Sequence, residues 1–351
     1  MFQDKTLVCT MDLRFGLPSA YVHTELKRKS MGKVIDVLVM FGILASISTS
    51  FGLAVPVISL LVSNLFGIPN NMLLKIAIIV IWICIFTTSV YLGLDKGIKK
   101  LSDINVIILL AFLALFFVLG NPSQILKAEV TSVGLYFQNF IRMNTWADPF
   151  GDGKFLNMWT IFYWGWWLAF MPMMALFVVR ISRGRTLKNV IWQQLIWGSL
   201  GCWACFSVFG GYSLNLQKSG VDLVSILNNE GQEGVITYIL EHIPASGLVT
   251  AIFLLLIFIF LATTIDSAAF ILSSNSVKKS AQLQPARSIR FFWAIILAVL
   301  SVGLLAIGEL KAVQTISLIA GLPMVFVQFY ICKIGKNLVI KHGKSDSNQI
   351  Q

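Results

Sequence analysis

Stretches of about 20 apolar residues recur along the whole of this chain, and each is long enough to carry a helix across the hydrocarbon core of a bilayer. Eight can be placed, at about residues 35–64, 74–94, 104–120, 156–181, 190–212, 247–274, 291–308 and 312–332. Backbone polar groups in lipid must be satisfied internally, which leaves helices or a closed barrel. The alternating segments of about ten residues that a barrel needs are missing. Of the 351 residues 57% are hydrophobic and only 12% charged, about half the charged share of a soluble domain. The expected fold class is therefore an all-α polytopic membrane protein with about eight transmembrane helices. Pro56 inside the first stretch predicts a tilt or kink there.

The net charge of +11 is carried unevenly. Segments 1–34, 95–103, 180–189, 275–290 and 333–351 hold 21 of the 27 Lys and Arg residues, and the alternate segments hold six. Cytoplasmic loops collect basic residues, so both termini are expected on the cytoplasmic side of a bacterial inner membrane. The same bias explains the positive charge without a nucleic-acid partner. It also divides the chain into a cytoplasmic segment (1–34), a transmembrane domain (35–333) and a basic cytoplasmic tail (334–351) that is polar and expected to be mobile at its end. The tail's lysines suit contact with anionic lipid.

Residues 1–34 lack the apolar core of a cleavable signal peptide. Cys202-Trp-Ala-Cys205 has redox-motif spacing but no βαβ context, no second pair or His partner suggests a metal, and Cys9, Cys84, Cys202, Cys205 and Cys332 all read as small packing residues. His23, His242 and His342 lie in separate segments, and no paired acids accompany them; an enzyme is not expected. Of the two long outer segments, Val130 to Phe140 in 121–155 has a partly apolar face and predicts a helix lying on the outer surface. Residues 213–246, with Asp222, Glu230, Glu233 and Glu241, predict a solvated loop with a short helix.

Between Trp159 and Phe170 the apolar run becomes aromatic. At about 100° per residue, Trp159, Phe162, Tyr163, Trp166 and Phe170 share one helical face, and Trp167 lies beside it. An interfacial belt accounts for Trp159 and Tyr163, but Trp166, Trp167 and Phe170 lie two or three turns deeper. Plain helix packing is the other bland reading, although membrane helix contacts favour small residues over rings. The functional reading is a box for a quaternary ammonium group. Such a cation has no N–H to donate, and ring faces attract it at about 0.5–2 kcal/mol each.

The run from Trp159 to Thr186 resembles the signature helix of the betaine/choline/carnitine transporter family. The matching residues are the string Trp-Thr-Ile-Phe-Tyr-Trp-Gly-Trp-Trp, then Pro172, then Arg-Ile-Ser-Arg-Gly-Arg-Thr at 180–186. Gly32 to Asp36, Ser50 to Leu53, Gly97 to Asn105, Phe209 to Gly211 and Thr263 to Ser267 resemble further family segments in the same order. The resemblance implies a LeuT-like core of two inverted repeats of about five helices each. Arg14 to Pro18 resembles the loop before the third core helix. The core is therefore expected to be partial, without its first two helices, and the chain incomplete and inactive alone.

By the same resemblance Trp166 and Trp167 match tryptophans of the substrate box, and Phe170 takes a place the family gives to Trp or Tyr. Thr263 and Thr264 match paired hydroxyls that help bind sodium as coupling ion, with no other cofactor implied. Asn105 stands where sodium-independent exchangers place an arginine. Ile43 and Ile47 stand where some members have threonines for a second ion, so one sodium site is expected. The bland reading of a membrane threonine is a hydroxyl bonded to the preceding turn.

Asp266 lies deep enough to need a partner. It is expected to act as a gate or coupling element, or simply to pair with Arg180 or Arg183 at the neighbouring helix end. The function implied is secondary active transport of glycine betaine, choline or carnitine, sodium-coupled symport of the kind used in osmoprotection. A non-transporting membrane interaction or assembly partner, or a split-gene fragment, is the alternative. The bilayer, the solute and a homo-trimer are the partners implied.

Overall fold

The computed structural model describes the backbone of residues 29–92, 95–182, 184–276 and 286–348. Side chains are described for these residues except 29–31, 86–101, 179, 180, 307–311, 313, 334 and 337–348. All regular structure among the described residues is helical. In chain order the helices are α1 (Lys29–Phe66), α2 (Met72–Leu92), α3 (Asp95–Leu119), α4 (Pro122–Gln138) and α5 (Phe140–Thr145). A π-helical turn (Leu156–Ile161) leads into α6 (Phe162–Ile181). There follow α7 (Leu187–Lys218), α8 (Leu223–Glu241), α9 (Ser246–Ser276) and α10 (Arg287–Asn348).

Seven stretches among the described residues are long and apolar enough to cross a membrane: Gly32–Phe66, Ser102–Leu119, Leu156–Val178, Leu187–Lys218, Ser246–Ser276, Arg287–Ala306 and Gln314–Lys333. A shorter apolar stretch, Met72–Ile85, belongs to α2. Every one of the eight runs read from the sequence is thus helical over its described residues, apart from the turn at Gly120 that closes the third. The last two differ from expectation in being joined, because α10 continues through residues 309–311. Gly308-Glu309-Leu310-Lys311 contains no proline, and Glu, Leu and Lys all extend helices readily. The backbone of the basic tail is also helical, as far as Asn348.

The outer segments are more ordered than a loop reading suggests. The surface helix starts at Pro122, eight residues before Val130, because Asn121 takes a left-handed conformation (φ 61°) and proline suits the first helical position. In place of a long solvated loop, α7 runs on to Lys218 and α8 fills 223–241, burying Leu223, Ile239 and Leu240. Asp222 caps α8 by accepting from the Ser225 N–H at 3.0 Å. Within α8, Gly231 (φ 76°, ψ −170°) breaks the helical path in a region that side chains rarely tolerate.

The described residues fall into two compact units. The first gathers residues 53–153 and 184–263. Rings hold it together: Phe116 meets Tyr212 edge-on at 5.0 Å and Phe209 at 5.2 Å, while Phe112 stacks on Phe253 at 5.5 Å. Trp82 is fully buried beside Phe258 and donates its indole N–H to the Phe258 carbonyl at 3.3 Å. The α4 helix crosses α7 where Gly211 meets Ile125, and Asn215 Nδ2 donates to the Gly120 carbonyl at 3.3 Å.

The second unit gathers the described residues up to 52, then 154–182, then 264 onward. Its centre is small-residue packing of α6 on α10 and α1. Ala45, Ala169 and Ala320 form a buried cluster against Ile316. A Cβ on Gly165 would lie 2.6 Å from Leu318 Cδ2, one on Gly321 2.9 Å from Gly165 Cα, and one on Gly42 3.0 Å from the Ala169 carbonyl. Such close approach is how membrane helices gain dispersion energy when lipid tails are as apolar as leucine. Gly321→Leu wedges these backbones apart. The expected result is a loss of about 1–3 kcal/mol in mixed-micelle denaturation, with Gly303→Leu, where a Cβ meets open space, as the near-neutral comparison.

Candidate functional site

The aromatic face of α6 begins in the π-turn, whose i→i+5 bonds widen the helix locally. Trp159 and Tyr163, four residues apart on one face, stack with centroids 5.8 Å apart and ring planes within 5° of parallel. Ring contacts continue without a gap. Phe162 stacks on Trp166 at 5.7 Å, Trp166 touches Trp167 at 6.2 Å, and Trp167 meets Phe170 edge-on at 5.8 Å.

The rings differ in exposure, and this decides what each can touch. Phe162 is 2% exposed and packed away, Tyr163, Trp166 and Phe170 are half-buried, and Trp167 is 55% exposed. Trp166 turns its polar edge inward, donating Nε1–H to the Ser46 carbonyl of α1 at 3.0 Å. Beside it, Thr49 and Ser317 share a short hydroxyl contact between α1 and α10. Trp164, not assigned to the ring face in the sequence, is 59% exposed.

Pro172 interrupts the hydrogen-bond ladder of α6. It has no N–H to offer the carbonyl four residues back, that of Leu168. Gln328 of α10 supplies the missing donor, its Nε2 lying 2.9 Å from the Leu168 oxygen. A proline in a membrane helix is tolerable when a neighbour restores the bond in this way. Sequence reading singled out Pro172 but not its partner. The usable signal was an amide side chain, Gln328, inside an apolar span.

Ile43 and Ile47 are wholly buried, so apolar side chains fill those two positions on α1. On α9, Thr263 Oγ1 donates to the Phe260 carbonyl at 2.8 Å, and Thr264 is half-buried. Asn105 on α3 is half-buried with its Oδ1 enclosed and unbonded.

Asp266 bonds Arg290 of α10 at 2.5 Å, with side-chain exposures of 15% and 10%. The expected pairing was with Arg180 or Arg183. Arg183 and the Arg180 side chain lie outside the described residues, and the partner found comes from a residue counted as loop. Arg290 sits in the first turn of α10, where that helix returns beside the last turns of α9, and its guanidinium also covers the Phe270 ring at 5.4 Å. Carboxylate and ring face are one turn apart on α9, so one cation grips both.

Membrane-length apolar helices, packed in the second unit through glycine and alanine and tied by a few inter-helix bonds, define a polytopic helical membrane protein. The chain matches the model of the betaine/carnitine/choline family transporters over residues 20–340, and it belongs to that family. It is 33% identical over 301 residues to a carnitine transporter of Acinetobacter baumannii, covering 85% of this chain and 54% of that protein. It is 33% identical over 299 residues to the glycine betaine transporter OpuD of Bacillus subtilis, covering 85% and 57%. An uncharacterized transporter of Escherichia coli, YeaV, is 30% identical over 309 residues, covering 87% and 63%. The chain thus spans between about half and two thirds of the length of these curated relatives.

Two measurements test the bonds of this region. Gln328→Leu leaves the Leu168 carbonyl unmatched and should cost about 1–3 kcal/mol. In a Pro172→Ala background, where the helix can satisfy that carbonyl itself, the same change should cost markedly less. For the ion pair, Asp266→Asn strands a buried guanidinium and should destabilise by about 3–5 kcal/mol. An equal loss in an Arg290→Met background would show that the two side chains do not act as a pair.

Proposed function

We propose that this chain forms the cation-binding part of a secondary transporter for a trimethylammonium solute such as glycine betaine, choline or carnitine. The observation that carries the reading is the unbroken series of ring contacts from Trp159 to Phe170 on a helix of a family that transports such solutes. Trp167, with most of its surface open, Tyr163, Trp166 and Phe170 supply ring faces for the methylated nitrogen. Phe162, stacked beneath Trp166, sets the tilt of that indole.

Sodium is the coupling ion we favour. A threonine hydroxyl that donates to its own helix, as Thr263 does, keeps oxygen lone pairs with which to ligate a cation. Thr264 offers a second hydroxyl, and the buried Ile43 and Ile47 argue against another ion on α1. Asp266 and Arg290 brace the cytoplasmic half of α9, and the sequence positions of Arg180 and Arg183 suit the same inner gate, with both termini cytoplasmic. A second reading, a membrane assembly partner without transport, is favoured by the outward rings Trp164 and Trp167 on α6.

Uptake of radiolabelled glycine betaine, choline and carnitine by cells expressing the chain, with and without sodium, separates the readings. Sodium-dependent uptake of one of them supports the carrier, and Trp167→Ala should then raise its KM about tenfold, the loss of one cation–π contact of about 1.4 kcal/mol. Absence of both uptake and binding of all three by the purified chain leaves the assembly reading.

A further inference from the structure

A second set of ring faces lies well away from α6 in sequence and in the other compact unit. Where α4 crosses α7, a pocket is lined by Glu129, Ser132, Val133 and Tyr136 of α4 and by Trp203 and Phe206 of α7. The rings around it are held edge-to-face. Phe137 meets Trp203 at 84° and Tyr136 at 69°, and Tyr136 meets Phe140 at 87°. Phe162 and Trp166 on α6, by contrast, stack, which costs each of them one face. Each edge-to-face pair covers one face of one partner only, so the three pairs leave more ring face open than stacking would.

The one ionised group in the pocket is Glu129, half-buried, with no hydrogen bond or ion pair among the described residues. Neither helix offers it a counter-charge. Lys127, the only basic residue of α4, is two positions away and so on the opposite side of the helix. The basic residues of α7 are Lys188 and Lys218 at its two ends, each about 20 Å from the Trp203–Phe206 turn at 1.5 Å per residue. Arg142 of α5 lies over the Trp146 ring instead, at 5.8 Å.

We propose that this pocket is a second binding site, for an alkylammonium cation. The Tyr136, Trp203 and Phe206 rings receive the alkylated nitrogen and Glu129 balances its charge. A free solute and the headgroup of a choline lipid present the same chemistry here.

The test uses the full chain purified in a lipid-free detergent, with radiolabelled choline as probe in equilibrium dialysis. Trp203→Leu and Glu129→Gln should each weaken a saturable choline site about tenfold. Trp203 is surface-lying, so the leucine keeps the helix face apolar. The neutral carbon isostere 3,3-dimethylbutanol should compete at least tenfold less well than choline. Phosphatidylcholine that displaces the probe where phosphatidylglycerol does not identifies a headgroup site, and failure of both lipids to displace it identifies a solute site. Choline binding indifferent to Trp203→Leu and Glu129→Gln, even if abolished by Trp167→Ala, overturns this site while leaving the α6 reading intact. Equal competition by the isostere overturns the cation assignment.

Discussion

A carbonyl oxygen without a donor is what the second unit is arranged around. Pro172 deprives Leu168 of its helical bond, and in an apolar medium no water stands ready to replace it. Gln328 does so from α10, which requires α10 to lie close to α6 and in one register. Gly165 and Gly321 permit that proximity by omitting side chains where the backbones meet. The Trp166 indole performs a similar service toward α1, reaching the Ser46 carbonyl. Each bond is worth only about 1 kcal/mol net, but together they determine which face of α6 carries free rings.

That arrangement explains why neighbouring aromatics have different work. Phe162 is enclosed and acts as a support, Trp166 has its N–H committed to α1, and Trp167 retains open surface. The Asp266–Arg290–Phe270 cluster, also in the second unit, gives the end of α9 a comparable anchor in which one guanidinium serves a carboxylate and a ring. In the first unit the phenylalanines at 112, 116, 209 and 253 take the place of glycine and alanine as the packing material.

Most of the helical architecture was legible in advance, because apolar runs of membrane length leave the backbone few alternatives. The eight runs and the Trp159–Phe170 stripe are of this kind. What escaped was whatever depends on where a helix stops. The junction at 309–311 reads as polar, yet Glu309, Leu310 and Lys311 favour helix, and composition alone does not separate a turn from a continued spiral. In 213–246 a short helix was expected, but the polar run 228–234 between the apolar clusters at 223–227 and 235–240 hid the full length of α8. Long-range partners were the least accessible. Arg290 sits 24 residues from Asp266 and Gln328 sits 160 from Leu168, and nothing local in either stretch names the other. Arg180 and Arg183 attracted attention only because they are near the stripe in sequence.

The π-turn at Leu156–Ile161 houses a surplus residue ahead of α6. Wound as ordinary α-helix, the same six residues would leave everything upstream rotated by about 100° relative to α6. That turn therefore sets the azimuth at which the outermost indole joins its neighbours. Losing or gaining a single residue there would re-aim Trp159 while leaving Trp166, Trp167 and the contacts of Gln328 where they are, so the lip of the aromatic face can be altered independently of its interior.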